Sequence, residues 1–268
     1  MMDRLTSHPD LRPWLAMNGI TDCRSLLRHL ESGQTRLITD PDAPTHLWIE
    51  RIAPEDGRVP FEIYIKCYRY RRPSLKFSLR RSKARQEFHN AEIFRQLGIP
   101  TPDPLAWGEV RDGLRRLHRA IIITRAVPDA QPLSDVTDRV PTLPRPARMR
   151  IIRTLASMAA SLHRAGRIHH DLHWRNVLLQ LDDDTHEPAV WWIDCPRGRP
   201  VLPLIGRRSM VRDLACLART AVTICTAADR MRFLDAYLGS GSTRATRRWW
   251  WTAIERCRRA KWPMDDVR

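Results

Sequence analysis

Several things are missing from this 268-residue chain, and each absence removes a class of function. No segment reaches the roughly 18 to 20 consecutive apolar residues that span a bilayer. Residues 1–8 are polar and lead into no apolar signal core, so secretion is not expected and a cytoplasmic location is. The six cysteines, Cys23, Cys67, Cys195, Cys216, Cys225 and Cys257, fall at no paired-ligand spacing, which predicts reduced packing thiols and neither a zinc site nor a disulfide frame. There are no repeats or low-complexity tracts, and no helix-turn-helix, zinc-finger or RNP pattern, so nucleic acid is not an expected partner. Acidic residues are in short supply, with 30 Asp+Glu against 46 Lys+Arg; the net charge of +16 and pI near 10.8 point to an anionic substrate or surface.

Against these absences, residues 168–179 stand out. The run Ile-His-His-Asp-Leu-His-Trp-Arg-Asn-Val-Leu-Leu places His169, Asp171 and Asn176 at the spacing of a kinase catalytic loop. An apolar strand, Trp-Trp-Ile, then delivers Asp194. Phosphoryl transfer needs a carboxylate near the acceptor hydroxyl, plus an amide and a second carboxylate to hold Mg²⁺ on the nucleotide phosphates. The setting supports this reading. Residues 148–164 carry apolar side chains at three- and four-residue steps and predict a helix, which Gly166 would end in a left-handed cap. Residues 177–179 and 190–193 predict a hairpin, with the acidic 182–184 stretch as its turn.

A kinase also needs a strand lysine on the phosphates and a helix glutamate to orient it. Residues 61–68, Phe-Glu-Ile-Tyr-Ile-Lys-Cys-Tyr, alternate as a strand with Lys66 in register with Tyr64 and Tyr68. Residues 82–97 predict a helix on which Glu87 could reach Lys66, with Glu92 a less well placed rival. Residues 120–124 predict a buried strand leading to Arg125, Ala126 and Val127, where motif order places the adenine hinge. The phosphate loop is the weak element. No Gly-x-Gly-x-x-Gly lies between Leu37 and Tyr64; Gly57, beside Glu55 and Asp56, and the stretch 32–35 are the available candidates.

Further runs resemble one family. Ala-Arg-Gln-Glu-Phe at 84–88, Leu-Gly-Ile-Pro-Thr-Pro at 97–102, Leu-His-Arg-Ala-Gly at 162–166, and Ile193-Asp194 followed by Arg197-Gly198 resemble the bacterial lipopolysaccharide-core kinases, over roughly residues 37–220. The resemblance implies an α+β, bilobal protein-kinase-like fold, with a small antiparallel-sheet N-lobe carrying one key helix and a mainly helical C-lobe. One kinase-like domain over 1–268 is expected, divided into an extension (1–36), N-lobe (37–124) and C-lobe (125–268). Its implied chemistry is ATP- and Mg²⁺-dependent phosphorylation of a Kdo or heptose hydroxyl of the lipid A-core. Lys66 would contact the nucleotide phosphates, Glu87 would pair with it, Asp171 with His169 would form the catalytic centre, and Asn176 and Asp194 would ligate metal. An acidic residue near the start of an apolar helix, Asp213, would brace the loop. The expected partner is an anionic glycolipid or sugar phosphate, with peripheral contact to the inner membrane.

Cys195-Pro196 replaces the Phe-Gly that follows the metal carboxylate in protein kinases, and no Ala-Pro-Glu follows, which disfavours a regulated protein kinase. An aminoglycoside-type phosphotransferase shares the His-x-Asp-Leu-His pattern, but its cationic acceptors suit an acidic pocket. A pseudokinase scaffold draws support from the missing glycine loop. Two basic surfaces complete the reading: a belt of Arg69, Arg71, Arg72, Lys76, Arg80, Arg81, Lys83 and Arg85, and a Trp/Arg-rich helix over 244–262 whose Trp250 and Ile254 are expected to pack inward.

Overall fold

Alternation in the lysine strand decides how the first part of the chain is layered. The computed structural model describes residues 2–33, 35–40, 42–53, 59–74, 77, 80–181, 187–201 and 203–263. Two compact units emerge: Met1–Glu92 with Pro102–Ala126, and Ile93–Thr101 with Val127–Arg268.

The first unit runs β1 (Met2–Ser7), α1 (Arg12–Met17), α2 (Cys23–Glu31), β2 (Arg36–Leu37), β3 (Thr45–Ile52), β4 (Phe61–Ser74), α3 (Lys83–Gln96, whose last turn belongs to the second unit), β5 (Pro104–Arg111) and β6 (Leu117–Arg125). The strands form one antiparallel sheet in the order β1-β5-β6-β4-β3-β2. Ile63, Ile65 and Cys67 of β4 point to one face, where they pack with Trp14, Leu15, Leu26 and Leu30 of the N-terminal helices. Tyr68 faces the other way and packs with Ala84 of α3 and Ala120 and Ile122 of β6. The period of two therefore sends Lys66, two residues before Tyr68, to the α3 face. The expected extension over 1–36 supplies the edge strand β1, paired with β5 from Met2 opposite Arg111 to Ser7 opposite Ala106, as well as the short helices α1 and α2.

The second unit adds β7 (Ala130–Pro132), α4 (Arg139–Thr142), α5 (Arg145–Arg164), β8 (Arg167–Ile168), β9 (Val177–Leu181), β10 (Pro188–Trp192), β11 (Arg199–Pro200), α6 (Pro203–Ile224), α7 (Ala227–Leu238) and α8 (Arg244–Lys261). A three-stranded sheet, β10-β9-β7, carries the predicted hairpin; its acidic turn at 182–184 lies outside the described residues. The core gathers Leu155, Ala159 and Leu162 of α5, Leu214 and Leu217 of α6, Leu234 of α7 and Trp250 of α8. Gly166 takes φ +65°, ending α5 as predicted. The proline-bearing stretch 137–146 holds α4 and the first residues of α5. Pro146 falls in the first turn of α5, where its missing N–H costs nothing and its fixed φ favours helix.

Between the four helices α5 to α8 lies a cavity of about 110 Å³. Ile151, Leu155, Leu217, Ala221, Phe233 and Ile254 are among its apolar lining residues, and Arg148 and Arg230 also border it. No helix of the described residues is long and apolar enough to cross a membrane.

Candidate active site

Each unit supplies its own part of the predicted machinery. In the first, Ser82 caps α3, its Oγ accepting from the Arg85 N–H at 3.1 Å, and this cap fixes where the helix begins over the sheet. One turn on, Glu87 is buried and receives Lys66 Nζ at 3.2 Å on Oε1 and 3.4 Å on Oε2, while the Tyr68 hydroxyl donates to Oε2 at 2.5 Å. Glu92, the rival partner, is largely exposed and pairs with His89 at 3.5 Å. Lys66 Nζ also lies 5.2 Å from the centre of the Tyr68 ring. Tyr68, which the sequence placed in register with Lys66 but to which it gave no role, is the further member of the pair; its position two residues after Lys66, on the same sheet face, was the available signal.

The hinge residues divide at the unit boundary. The Arg125 side chain is engaged within the first unit by Asp10 at 3.2 Å and Asp103 at 3.5 Å, and its guanidinium lies 3.8 Å from the Phe61 ring centre. The N–H groups of Arg125 and Ala126 donate to the Asp103 and Glu62 carbonyls, so neither is left for adenine. Val127 begins the second unit's share, its carbonyl accepting from Ala130. Of the phosphate-loop candidates, Gly57 and Gln34 lie outside the described residues, as does Lys76 of the basic belt. Thr35 is committed to Glu50, its Oγ1 donating at 2.7 Å.

In the second unit the predicted catalytic loop hangs from one buried carboxylate. Asp213 of α6 accepts the backbone N–H groups of His169 at 2.7 Å and His170 at 2.9 Å, and sits 3.4 Å from His163 Nε2. Trp174 Nε1 donates to the Leu217 carbonyl and ties the far side of the loop to the same helix. Asn176 closes the turn, its Nδ2 donating to the Asp171 carbonyl at 2.7 Å. Asp171 keeps a partly exposed carboxylate, held by Arg175 Nη2 at 3.1 Å to both oxygens and approached by His173 Nε2 at 3.4 Å. The Asp171/Arg175 spacing of four is visible in the sequence; the contact was not anticipated.

His169 occupies a different place. It is fully buried, stacked on Phe94 at 5.8 Å and edge-on to Trp192 at 5.6 Å. Its ring has a weak polar contact to the Ile193 backbone in place of a well-aligned hydrogen bond. Burial pushes its pKa below the ordinary 6.5, against the opposing pull of the Asp213, Asp171 and Asp194 carboxylates. It supports the loop from behind and does not reach solvent. His173 is also held low, by burial first, with Asp171 opposing and Arg175, Arg219 and Lys261 adding to the depression.

Asp194 follows β10 at φ +61°, a left-handed backbone that a non-glycine residue adopts at a cost of order 1–3 kcal/mol. The surroundings hold it there. Ile193 donates to the Asn176 carbonyl at 3.0 Å, and the buried Cys195 Sγ reaches the His169 carbonyl at 3.5 Å. The two residues predicted to ligate metal thus sit on segments joined by a direct backbone hydrogen bond. Asn176 spends its amide nitrogen on the loop, which leaves its amide oxygen uncommitted; that oxygen and the Asp194 carboxylate are hard donors of the kind Mg²⁺ takes, an ion that keeps several waters and substrate oxygens for its other positions. Among the described residues no group of three His, Cys, Asp or Glu side chains could form a cage.

Residues 65–237 match the family described as lipopolysaccharide kinase (Kdo/WaaP), nearly two thirds of the chain and the whole stretch from the strand lysine past the loop-bracing helix. This chain belongs to the lipopolysaccharide kinase (Kdo/WaaP) family. Within curated proteins, it is similar to the lipopolysaccharide core heptose(I) kinase WaaP of Pseudomonas aeruginosa, 29% identical over 161 residues covering 58% of this chain and 59% of that protein. It is likewise similar to the 3-deoxy-D-manno-octulosonic acid kinase of Stenotrophomonas maltophilia, 31% identical over 144 residues covering 54% and 52% of the two chains. The chain thus spans between half and three fifths of the length of these relatives. A solved WaaP in complex with acyl carrier protein superposes with a TM-score of 0.63 at 22% identity, covering 95% of this chain and 99% of that one. The expected kinase-like fold is therefore the fold of this member of the Kdo/WaaP family.

Proposed function

We propose that this protein transfers the γ-phosphoryl group of ATP to a sugar hydroxyl, of Kdo or heptose, on an anionic inner-core glycolipid. The observation that carries the reading is the Asp171 loop, which presents one partly exposed carboxylate on a backbone pinned by Asp213 and Asn176. Asp171 orients the acceptor hydroxyl and takes its proton late, as the hydroxyl oxygen bonds to the γ-phosphorus and the bond to the ADP oxygen breaks. His173 and Arg175 position that carboxylate; His169 positions the loop behind it. Lys66, held by Glu87 and Tyr68, contacts the phosphates. In the adenine hinge the N–H role falls to Val127, because Arg125 and Ala126 have spent theirs. Asn176 and Asp194 would hold Mg²⁺, which when bound offsets charge on the transferring phosphoryl group.

The test is transfer from ATP to lipid A-core lacking inner-core phosphate, followed by mass spectrometry of the acceptor. Addition of one phosphate is expected. Asp171→Asn should lower kcat by about 100-fold or more while leaving KM for ATP nearly unchanged. Near-normal turnover by that variant would rule out the assigned base.

The apolar cavity among α5 to α8 favours a second partner. It accepts an acyl chain presented by an acyl carrier protein, the chain lying against the apolar lining residues. Ala221→Phe, which fills the cavity, should abolish a rise in melting temperature on adding acylated carrier. An equal rise for wild type and variant would exclude this site.

A further inference from the structure

Helix α8 carries two faces with opposite chemistry. Trp250, Ile254 and Cys257 pack into the core, as the sequence led one to expect. On its other side Arg248, Trp249 and Arg256 line an open groove whose opposite wall is Arg207 and Arg208 of α6. All four arginines are exposed, and no carboxylate lines the groove. Trp249 is 46% exposed, one of the few large hydrophobic side chains so placed among the described residues. Its ring is seated edge-on against the buried Trp250 at 5.3 Å, and the Arg207 guanidinium lies 5.1 Å from the ring centre.

We propose that this α6/α8 groove docks the protein onto an anionic membrane surface. An indole fixed at the protein surface favours the headgroup level of a bilayer, and the guanidinium groups lining the same groove match lipid phosphates in planar, two-pronged hydrogen bonds. Four cations without an intervening carboxylate form a field that falls off within a Debye length, so the groove responds to a charged surface at contact distance. A soluble anion would engage the arginines and leave the indole in water. A bilayer interface satisfies both. The proposal deepens the reading above, since a glycolipid acceptor resides in a membrane, but vesicle binding needs neither ATP nor acceptor. Failure of one therefore leaves the other standing.

The full chain is sedimented with vesicles of phosphatidylcholine alone or mixed with phosphatidylglycerol. Wild type should partition onto the mixed vesicles, lose that binding as salt is raised, and ignore pure phosphatidylcholine. Each basic side chain at such a surface contributes about a factor of five, so Arg248→Gln/Arg256→Gln should weaken binding about 25-fold, and Arg248→Glu/Arg256→Glu more. Arg145→Glu/Arg153→Glu makes the same charge change as the Glu pair, at exposed α5 positions of the same unit, and should stay within about threefold of wild type. Trp249→Ser should weaken binding while leaving the salt slope unchanged. The proposal is overturned if wild type does not prefer the anionic vesicles, if the α5 pair weakens binding as much as the groove pair, or if the groove pair alters binding to RNA while vesicles are ignored. Equal melting temperatures for wild type and the Gln pair establish that the loss is not unfolding.

Discussion

His169 shows how a short motif can hold residues with unlike duties. Asp171, two positions later, keeps its carboxylate partly in solvent, whereas the His169 ring is sealed between Phe94 and Trp192. Because burial lowers its pKa, the folded protein keeps the ring neutral where the unfolded chain, with the ordinary value of 6.5, takes up a proton. The unfolded state then binds more protons below that pH, so this group's contribution to stability is complete above about pH 7 and is lost as pH falls through 6.5 toward the lowered folded value. Urea unfolding between pH 7.5 and 5.5 should show a decline whose His169 share is at most about 1.4 kcal/mol per pH unit. His169→Phe, which fits the aromatic surroundings, should flatten that decline. Identical pH dependence for both proteins would mean the ring is not held neutral. The buried cysteines follow the same physics with opposite sign. Burial pushes the Cys67 thiol up to about 12 and that of Cys216 to about 11, so these packing thiols stay protonated and unreactive.

At the scale of elements, what was legible followed from periodicity, and what was missed followed from long-range pairing. The lysine strand, the glutamate helix, the hairpin and α5 each carry their apolar pattern locally. Strand β1 does not: residues 2–7 are polar and become a strand because β5 offers an edge. That pairing depends on Gly108. A Cβ there would meet the Cys23 Sγ at 3.0 Å, the Arg4 carbonyl at 3.1 Å and a Leu5 methyl at 3.2 Å, so β1 and α2 would have to give by a few tenths of an ångström to admit any side chain. Gly108→Ala should therefore destabilise the protein by about 1–3 kcal/mol and speed exchange of the β1 amides selectively. Gly113→Ala, with nothing within 4 Å of the added atom, should do neither, and hydrogen exchange read by mass spectrometry distinguishes them.

For the whole molecule, composition gave the sign of the charge and motif order gave the kinase-like fold, but neither could locate where the charge would matter. The Lys66–Glu87 pairing was readable because a strand register and a helix turn bring one candidate face into reach, and 3.2 Å is the observed result. Arg175 on Asp171 is a local contact four residues apart that the spacing alone did not specify, whereas the Asp213 brace on two successive amides and the arginine groove depend on packing between segments distant in sequence. Single-sequence reasoning has access to them only by analogy, as for Asp213. The hinge illustrates the limit most sharply: order in the sequence located residues 125–127, whereas only the structure shows that two of their three N–H groups are already engaged.

Trp262, just past the last turn of α8, rests edge-on against His173 at 5.6 Å, with the Arg219 guanidinium and the Lys261 ammonium each 5.4 Å from its ring centre. A purification handle fused directly behind this residue, or an expression boundary drawn a few positions before it, would disturb the neighbour of Asp171 while leaving the helix's inward face in place. Such a preparation would look well folded by every bulk spectroscopic criterion with the surroundings of Asp171 altered, so recombinant versions of this protein are better tagged through a long spacer.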